Sequence, residues 1–410
     1  MTRLTKVTAL AASILQQMPQ IGKWQRKFLL LLFPLWLSIR GRHNFANLAR
    51  YSVYGEGAFR HNFAKPFDWL TFNRLLCLRS LGPDRILAFD PSYLPKSGHY
   101  TEGVAKFWSG SARQVRPGLE ISSIAAVDLA DSTALHLEAF QTLPRGEGQT
   151  LLDYYAEGIL SRQRQLKLIS SYLVADAYFS KQPFVDKLTK AGFKLVSRLR
   201  CDARMRYLYQ GTPTGKRGRP QKYDGRVNPR ELRQDVFQLC GKDEDQRWIA
   251  YSAVVNIPSW KRSARVVIIH QLDEKGRITG HRTLVSSDTE LAGTRLLIMY
   301  PARFHQEFLF RDAKQDLGLG LGLEHGQAYT ADKIDFHINA SLTVGSLAKI
   351  SHHIEQEEHR STPFSIADIK TEYVNEHQAL RIISMFGISL NSPLIAQAMP
   401  KIRNYGKRRA

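Results

Sequence analysis

Tyr300–Asp316 reads YPARFHQEFLFRDAKQD. The stretch has the look of a helix, yet Arg303, Glu307, Arg311 and Lys314 recur at the spacing usually kept by buried Leu and Val. A helix turns about 100° per residue, so Arg303 and Arg311 fall about 40° to either side of Glu307, and Lys314 within about 20°. One face therefore carries an acid among three cations. Phe304, Phe308, Leu309 and Phe310 fill much of the rest. The ordinary explanation is a solvent face laced by i, i+4 ion pairs, which asks nothing of Tyr300. Pro301 disfavours helical geometry in the residue before it, so Tyr300 is expected at the helix entrance, near the same face.

Two further acids stand in a shared setting. RILAFDPSY (Arg85–Tyr93) is an apolar run that reads as a strand ending in Asp90, and SYLVADAYFS (Ser171–Ser180) as one ending in Asp176. In α/β sheets, ligands collect at the carboxyl ends of strands. Paired carboxylates there suit a hard divalent cation such as Mg²⁺, which takes oxygen ligands and keeps positions open for a phosphate. An Asp after a strand is also a common turn former. A third acid converging from elsewhere decides between the two, and Glu307 is the candidate.

The rest of the chain supplies a frame. Residues 1 to about 75 read as helices, rich in Lys, Arg and aromatic residues. ISSIAAVDLADSTALHLEAF (Ile121–Phe140) reads as two strands around a turn, LLDYYAEGILSRQRQL as a helix, KQPFVDKLTKAG as a helix with Pro183 near its start, and FKLVSRLR as a strand. The order is that of an α/β unit with mixed strand pairing. From about 201 to 288 the pattern turns β-rich, with WIAYSAVVNI and ARVVIIHQL as strands. Helical character returns from Thr289, and KIRNYGKRRA closes the chain as a basic tail. GLGLGL (Gly318–Leu323) follows a helix rather than a strand and reads as a helix stop. His337 and Asn339 are expected to be satisfied core residues.

Composition bounds the partner. The chain has 410 residues, 43% hydrophobic and 23% charged, a globular balance. Lys plus Arg is 58 against 37 for Asp plus Glu, a net charge of +21 spread along the whole length. Such an excess suits a long polyanion. Cys77, Cys201 and Cys240 are far apart, which argues against a zinc site or a disulfide framework. FLLLLFPLWLSI (Phe28–Ile39) is too short to span a bilayer and is expected to be a buried helix. No membrane role and a cytoplasmic location are expected. GKRGRPQKY (Gly215–Tyr223) resembles an AT-hook, in which Arg217 and Arg219 would lie in a minor groove; a non-specific contact of this basic loop with phosphates is the more ordinary expectation.

Tyr300, Arg303, Glu307 and Lys314 together match a Y-(2)-R-(3)-E-(6)-K signature, and with FDPSYLPKSG around Asp90 and ADAYFSKQPF around Asp176 the chain resembles bacterial DDE transposases of the insertion-sequence-four family. The resemblance implies an RNase H-like catalytic domain, a mixed sheet flanked by helices, with a β-rich insertion and an N-terminal helical domain. The expected layout is a helical DNA-binding domain at 1–78, the first part of the core at 79–200, the insertion at 201–288, the Glu-bearing second part at 289–350, and a helical region with a basic tail at 351–410.

By the same resemblance, Asp90, Asp176 and Glu307 are catalytic and hold two Mg²⁺ ions, with Mn²⁺ able to substitute. Tyr300, Arg303 and Lys314 would grip terminal phosphates, with Arg311 beside them. The expected activity is cut-and-paste transposition through a hairpin at the element end. Its partners are double-stranded DNA, as terminal inverted repeats and as target, and a second copy of the chain in a synaptic complex, at a bacterial nucleoid. Trp108, Trp248 and Trp260 are candidates for receiving an unstacked base, although each is first expected in the core. The alternatives are a catalytically inactive DNA-binding relative and an RNase H-like nuclease without strand transfer.

Overall fold

Ile86, Leu87, Ala88 and Phe89 have no solvent exposure, which fixes β1 (Arg85–Leu94) in the middle of a sheet. The computed structural model describes residues 3–407 except 111, 213–219, 246, 321–322, 324–325, 359–362 and 390–391. Arg217 and Arg219 thus lie outside the described residues.

β1 pairs antiparallel with β3 (Gln114–Asp128), which also pairs with β2 (Ala105–Ser109) and β4 (Thr133–Gln141). On its other edge β1 runs parallel to β5 (Tyr172–Val174), and β5 parallel to β6 (Lys194–Leu199). The β-rich segment brings β7 (Arg206–Leu208), β8 (Tyr223–Arg226), β9 (Gln238–Lys242), β10 (Trp248–Ile257), β11 (Arg262–Leu272) and β12 (Ile278–Ser286). These strands do not build a sheet of their own. β12 pairs antiparallel with β6, Thr283 opposite Leu199 through Ser286 opposite Val196, so one sheet of 12 strands runs through both segments.

Helices cover the sheet. The N-terminal segment forms α1 (Arg3–Leu15), α2 (Lys23–Ser38), α3 (Phe45–Arg50), α4 (Glu56–Asn62) and α5 (Trp69–Ser80). Then come α6 (Leu151–Leu160), α7 (Gln163–Leu166) and α8 (Gln182–Lys190), followed by α9 (Gly293–Ala302), α10 (Phe304–Asp316), α11 (Ala331–Glu358), α12 (Ile366–Met385) and α13 (Pro393–Asn404). α6 opens on a capping box made by Thr150 and Asp153. α5, α10 and α11 pack on β4, and α9 packs on β6, β11 and β12.

The expected boundaries at 78/79 and 350/351 fall inside α5 and α11. The N-terminal helices share a core with the C-terminal ones: α2 packs on α1, α11 and α12. Phe63 meets Phe336 with ring centroids 4.5 Å apart, and the Trp36 indole N–H donates to the Leu317 carbonyl at 2.8 Å. Phe59 and Phe63, two of the many aromatic residues of this segment, are fully buried and belong to this core. Each such ring stabilises the fold by about 1.5–3 kcal/mol through burial. The apolar run ending α2 is buried as expected, and among the described residues no helix is long and apolar enough to cross a membrane.

Candidate active site

Asp90 does not end its strand. β1 continues to Leu94 because Ser123 through Leu119 of β3 pair with Asp90 through Leu94. What ends is its parallel neighbour, since β5 pairs only with Leu87 and Ala88. Asp90 therefore lies where the sheet parts between β1 and β5. Pro91 removes a backbone donor at this newly made edge, where its loss is tolerated.

Asp176 follows β5 by two residues and caps a 3-10 turn, Ala177–Phe179. Its Oδ1 accepts from the Tyr178 N–H at 2.9 Å, and its carbonyl accepts from Ser197 Oγ at 2.7 Å. This is the turn-forming role of an Asp after a strand, made beside Asp90. Glu307 stands in the first turn of α10, which packs across β1, β3 and β4. Buried Gln306 fixes that packing by donating Nε2 to the Ser123 carbonyl at 2.6 Å, opposite Asp90 in the ladder.

The entrance to this helix differs from the expectation. Tyr300 and Pro301 form the last turn of α9, and Arg303 joins α9 to α10. Pro301 lies inside the last turn of α9, where its missing N–H removes one i→i−4 hydrogen bond, and the helix ends at the next residue. Tyr300 is nonetheless on the site side. Burial pushes its phenol pKa up, Arg303 and Arg198 pull it down, and the Asp176 charge adds to the rise.

Arg303 organises the acids. Its guanidinium lies 2.8 Å from Glu307 Oε1 and 3.6 Å from Asp90 Oδ1, with its own side chain only 11% exposed. Burial pushes the Asp90 carboxyl up to about 7. Arg303 opposes that rise, while the negative charges of Asp176 and Glu307 add to it and Lys314 again opposes it. The three acids thus share one electrostatic neighbourhood. Among the described residues, no three His, Cys, Asp or Glu side chains stand close enough together to hold a metal ion as placed. The arrangement still suits divalent cations. All three donors are carboxylates, they repel one another, and a cation, the Arg303 guanidinium, already bridges two of them.

Lys314 reaches back along the same face. Its Nζ donates to Ser92 Oγ at 2.8 Å and to the Tyr93 carbonyl at 3.0 Å, and burial lowers its pKa. Arg311 turns away. It pairs with Asp312 at 3.4 Å and lies 4.7 Å over the Phe308 ring, with no ion pair to Glu307.

Of the tryptophans, Trp260 is core and donates to the Ser180 carbonyl at 3.0 Å, Trp248 is half-buried, and Trp108 is exposed but on β2. Two exposed aromatics lie by the acids: Tyr178, with Lys181 Nζ 4.0 Å over its ring, and Phe304, with the Arg303 guanidinium 5.2 Å over its ring. Sequence reasoning passed over Tyr178, although it lies two residues after Asp176. It also passed over Arg198, which only the β5–β6 pairing brings near. His337 and Asn339 are buried and satisfied. His337 Nε2 bonds the Gly318 carbonyl at 3.0 Å, and Asn339 bonds His136, Ala139 and Asp335.

A family model described as DDE superfamily endonuclease matches residues 18–252, more than half of the chain. The match includes Asp90 and Asp176 and stops before Glu307. No curated protein sequence matches the chain. Among solved structures, the cryo-EM structure of a piggyBac transposase synaptic complex with hairpin DNA matches at 11% identity and a TM-score of 0.39, covering 97% of this chain and 81% of that one.

Proposed function

The chain belongs to the DDE superfamily of endonucleases, and on that premise we propose that it is a transposase, kin to the insertion-sequence-four family, that cuts DNA and joins the freed end to a target. The observation that carries this reading is the buried Arg303 guanidinium set between Asp90 and Glu307, from two separate elements, with Asp176 near enough for its charge to act on Asp90. The strand order β4–β3–β1–β5–β6, antiparallel and then parallel, supports an RNase H-like core. The layout is a helical N-terminal DNA-binding part, a core interrupted at 201–288, and a helical C-terminal part.

Asp90, Asp176 and Glu307 would hold two Mg²⁺ ions, or Mn²⁺ in their place. Such ions activate the attacking oxygen and stabilise the leaving one. The protein's own share is positioning and charge. Gln306 fixes the Glu-bearing helix to β3, and Arg303 sets a positive charge between Asp90 and Glu307 at the place where a divalent cation would supply one. Tyr300, Arg303 and Arg311 offer donors to phosphates next to the cut. Lys314 holds β1 against α10, its ammonium on Ser92 and Tyr93 of the strand that carries Asp90. In-line displacement at phosphorus depends on positioning and neutralised charge more than on covalent help from the protein. A first water frees a 3′-OH at the element end. That hydroxyl closes a hairpin on the opposite strand, a second water reopens it, and the 3′-OH then attacks the target. Holding two ends together calls for a second copy of the chain.

The test is a strand-transfer assay with protein, Mg²⁺ and DNA carrying the inverted repeats that flank the gene. Joined product is the expected result. Cleavage alone would make the protein a nuclease without strand transfer, and a gel shift without cleavage would make it an inactive DNA-binding relative. Glu307→Gln should abolish cleavage and keep end binding; loss of both would remove Glu307 from the metal role.

A further inference from the structure

β2 and the start of β3 form a ribbon that leaves the sheet. Ala105–Ser109 pairs with Gln114–Gly118, and Lys106, Trp108, Val115 and Arg116 are exposed. Trp108 is 61% exposed, a large ring kept in water with no partner ring among the described residues. The register sets Trp108 beside Val115 and Lys106 beside Pro117 on one face, and Phe107 beside Arg116 on the other.

From Gly103 to Gly118 the chain carries Lys106, Arg113 and Arg116 and no acid. Arg113 takes φ 50° at the turn, a left-handed conformation unfavourable for a residue with a Cβ, so the tip presents a cation where glycine would be easier.

The ribbon is rooted on the candidate active site. Tyr93 Oη donates to the Pro117 carbonyl at 2.8 Å, while the Tyr93 carbonyl accepts from Lys314. At Gly118 a Cβ would lie 2.5 Å from the Leu94 carbonyl oxygen and 2.6 Å from the Tyr93 ring, so the root closes only around a glycine. Val115, opposite Trp108, lies eight residues along β3 from Ser123, opposite Asp90. At about 3.4 Å per residue, that is about 27 Å of strand.

We propose that this ribbon enters a groove of the bound duplex about eight base pairs from the phosphate that is cut, with its cations on the flanking phosphates and Trp108 against the groove floor. The major groove, about 12 Å wide, admits a two-stranded ribbon. A strand span of about 27 Å equals about eight base-pair steps of about 3.4 Å. The inference rests on the transposase reading for placing that phosphate at Asp90. The same span removes Trp108 from the bases at the cut.

The test uses the full chain carrying Lys106→Ala and Arg116→Ala together, and separately Trp108→Phe. Each lost phosphate contact flattens the slope of log affinity against log salt by about 0.9, so the double variant should lose about 1.8 from the slope on duplex DNA with an unchanged melting temperature. Duplex DNA should shield the Trp108 fluorescence, identified by its loss in Trp108→Phe, from acrylamide. Protection in a footprint should fade about eight base pairs from the cut in the double variant. An unchanged slope with Trp108 still quenched would overturn the ribbon while cleavage by the same protein upholds the site. A flattened slope in a protein that never cleaves would uphold the ribbon's contact and overturn the reading of the site.

Discussion

Arg303 stands 3.6 Å from Asp90 and 2.8 Å from Glu307, so a single guanidinium supplies the positive charge between two of the three acids. Its removal leaves the buried Asp90 carboxylate beside Asp176 and Glu307 with less to offset their repulsion. Arg303→Gln should therefore lower stability by about 1–3 kcal/mol in metal-free buffer, the cost of uncovering a buried charge. Mg²⁺ should restore much of that loss, and should raise the melting temperature of the variant more than that of the wild type. A ligand at tenfold its dissociation constant stabilises by about 1.4 kcal/mol, which a thermal melt resolves. Equal Mg²⁺ responses in the two proteins would show that the guanidinium and the cation do not share a place.

Lys314 and Arg311 come from the same helix face in sequence but do different work. Lys314 spans from α10 to the end of β1 through two hydrogen bonds, to Ser92 and Tyr93. Arg311 is 57% exposed and makes two long bonds to Asp312, at 3.4 Å each, besides lying over the Phe308 ring. Lys314→Ala should cost about 1–3 kcal/mol in urea denaturation, because two acceptors lose a buried donor. Arg311→Ala should change stability by no more than about 0.5 kcal/mol and should weaken DNA binding in a salt-dependent way. If Lys314→Ala melts like the wild type, the strut is not holding β1.

Much of this was legible in the residues and some was not. The strands on either side of Asp90 and Asp176 announce themselves as apolar runs, and the helix through Glu307 by the spacing of its charges. The continuation of β1 past Asp90 was hidden, because Pro91-Ser92-Tyr93 looks like a turn until β3 pairs with it. Tyr300 was misplaced because the local penalty before proline is small, and the packing of α9 on β6, β11 and β12 overrides it. The joining of β12 to β6 was equally hidden, since pairing partners 84 or more positions apart leave no periodic trace. Arg311 shows the limit of helix-wheel geometry, which places a Cβ but not the far end of a long side chain.

Asp335, on α11, should give stability a fall with rising pH. Burial pushes its carboxyl up to about 7, and the nearby Glu138 charge adds to the rise. A folded-state value above the unfolded one, about 3.9, means that the folded protein holds this proton more tightly. The favourable share is complete below about pH 4 and is lost as pH climbs through 7. Asp335→Asn keeps an acceptor for Asn339, whose Nδ2 lies 3.2 Å from Asp335 Oδ1. It should stabilise the protein by a few kcal/mol at pH 8, roughly, and leave it unchanged at pH 4. Urea midpoints at the two pH values provide the measurement, and a gain at both would assign the effect to packing rather than to charge.

His136, on β4, works in the opposite sense through the same asparagine. Its Nε2 lies 3.0 Å from Asn339 Oδ1, and since Asn339 Nδ2 already donates to the Ala139 and Asp335 carbonyls, the ring must be the donor, a neutral imidazole with its proton on Nε2. Burial lowers its pKa to about 4, partly offset by that bond. The folded value lies below the unfolded one of about 6.5, so its contribution is complete above pH 6.5 and is lost as pH falls toward 4. His136→Gln can keep a donor to Asn339 while removing the titration. Its stability should therefore fall less than that of the wild type between pH 6.5 and 4.5. The two curves should converge at the acid end, because there the wild type has lost the advantage of a neutral ring. Parallel curves across that interval would show that His136 takes no proton on unfolding.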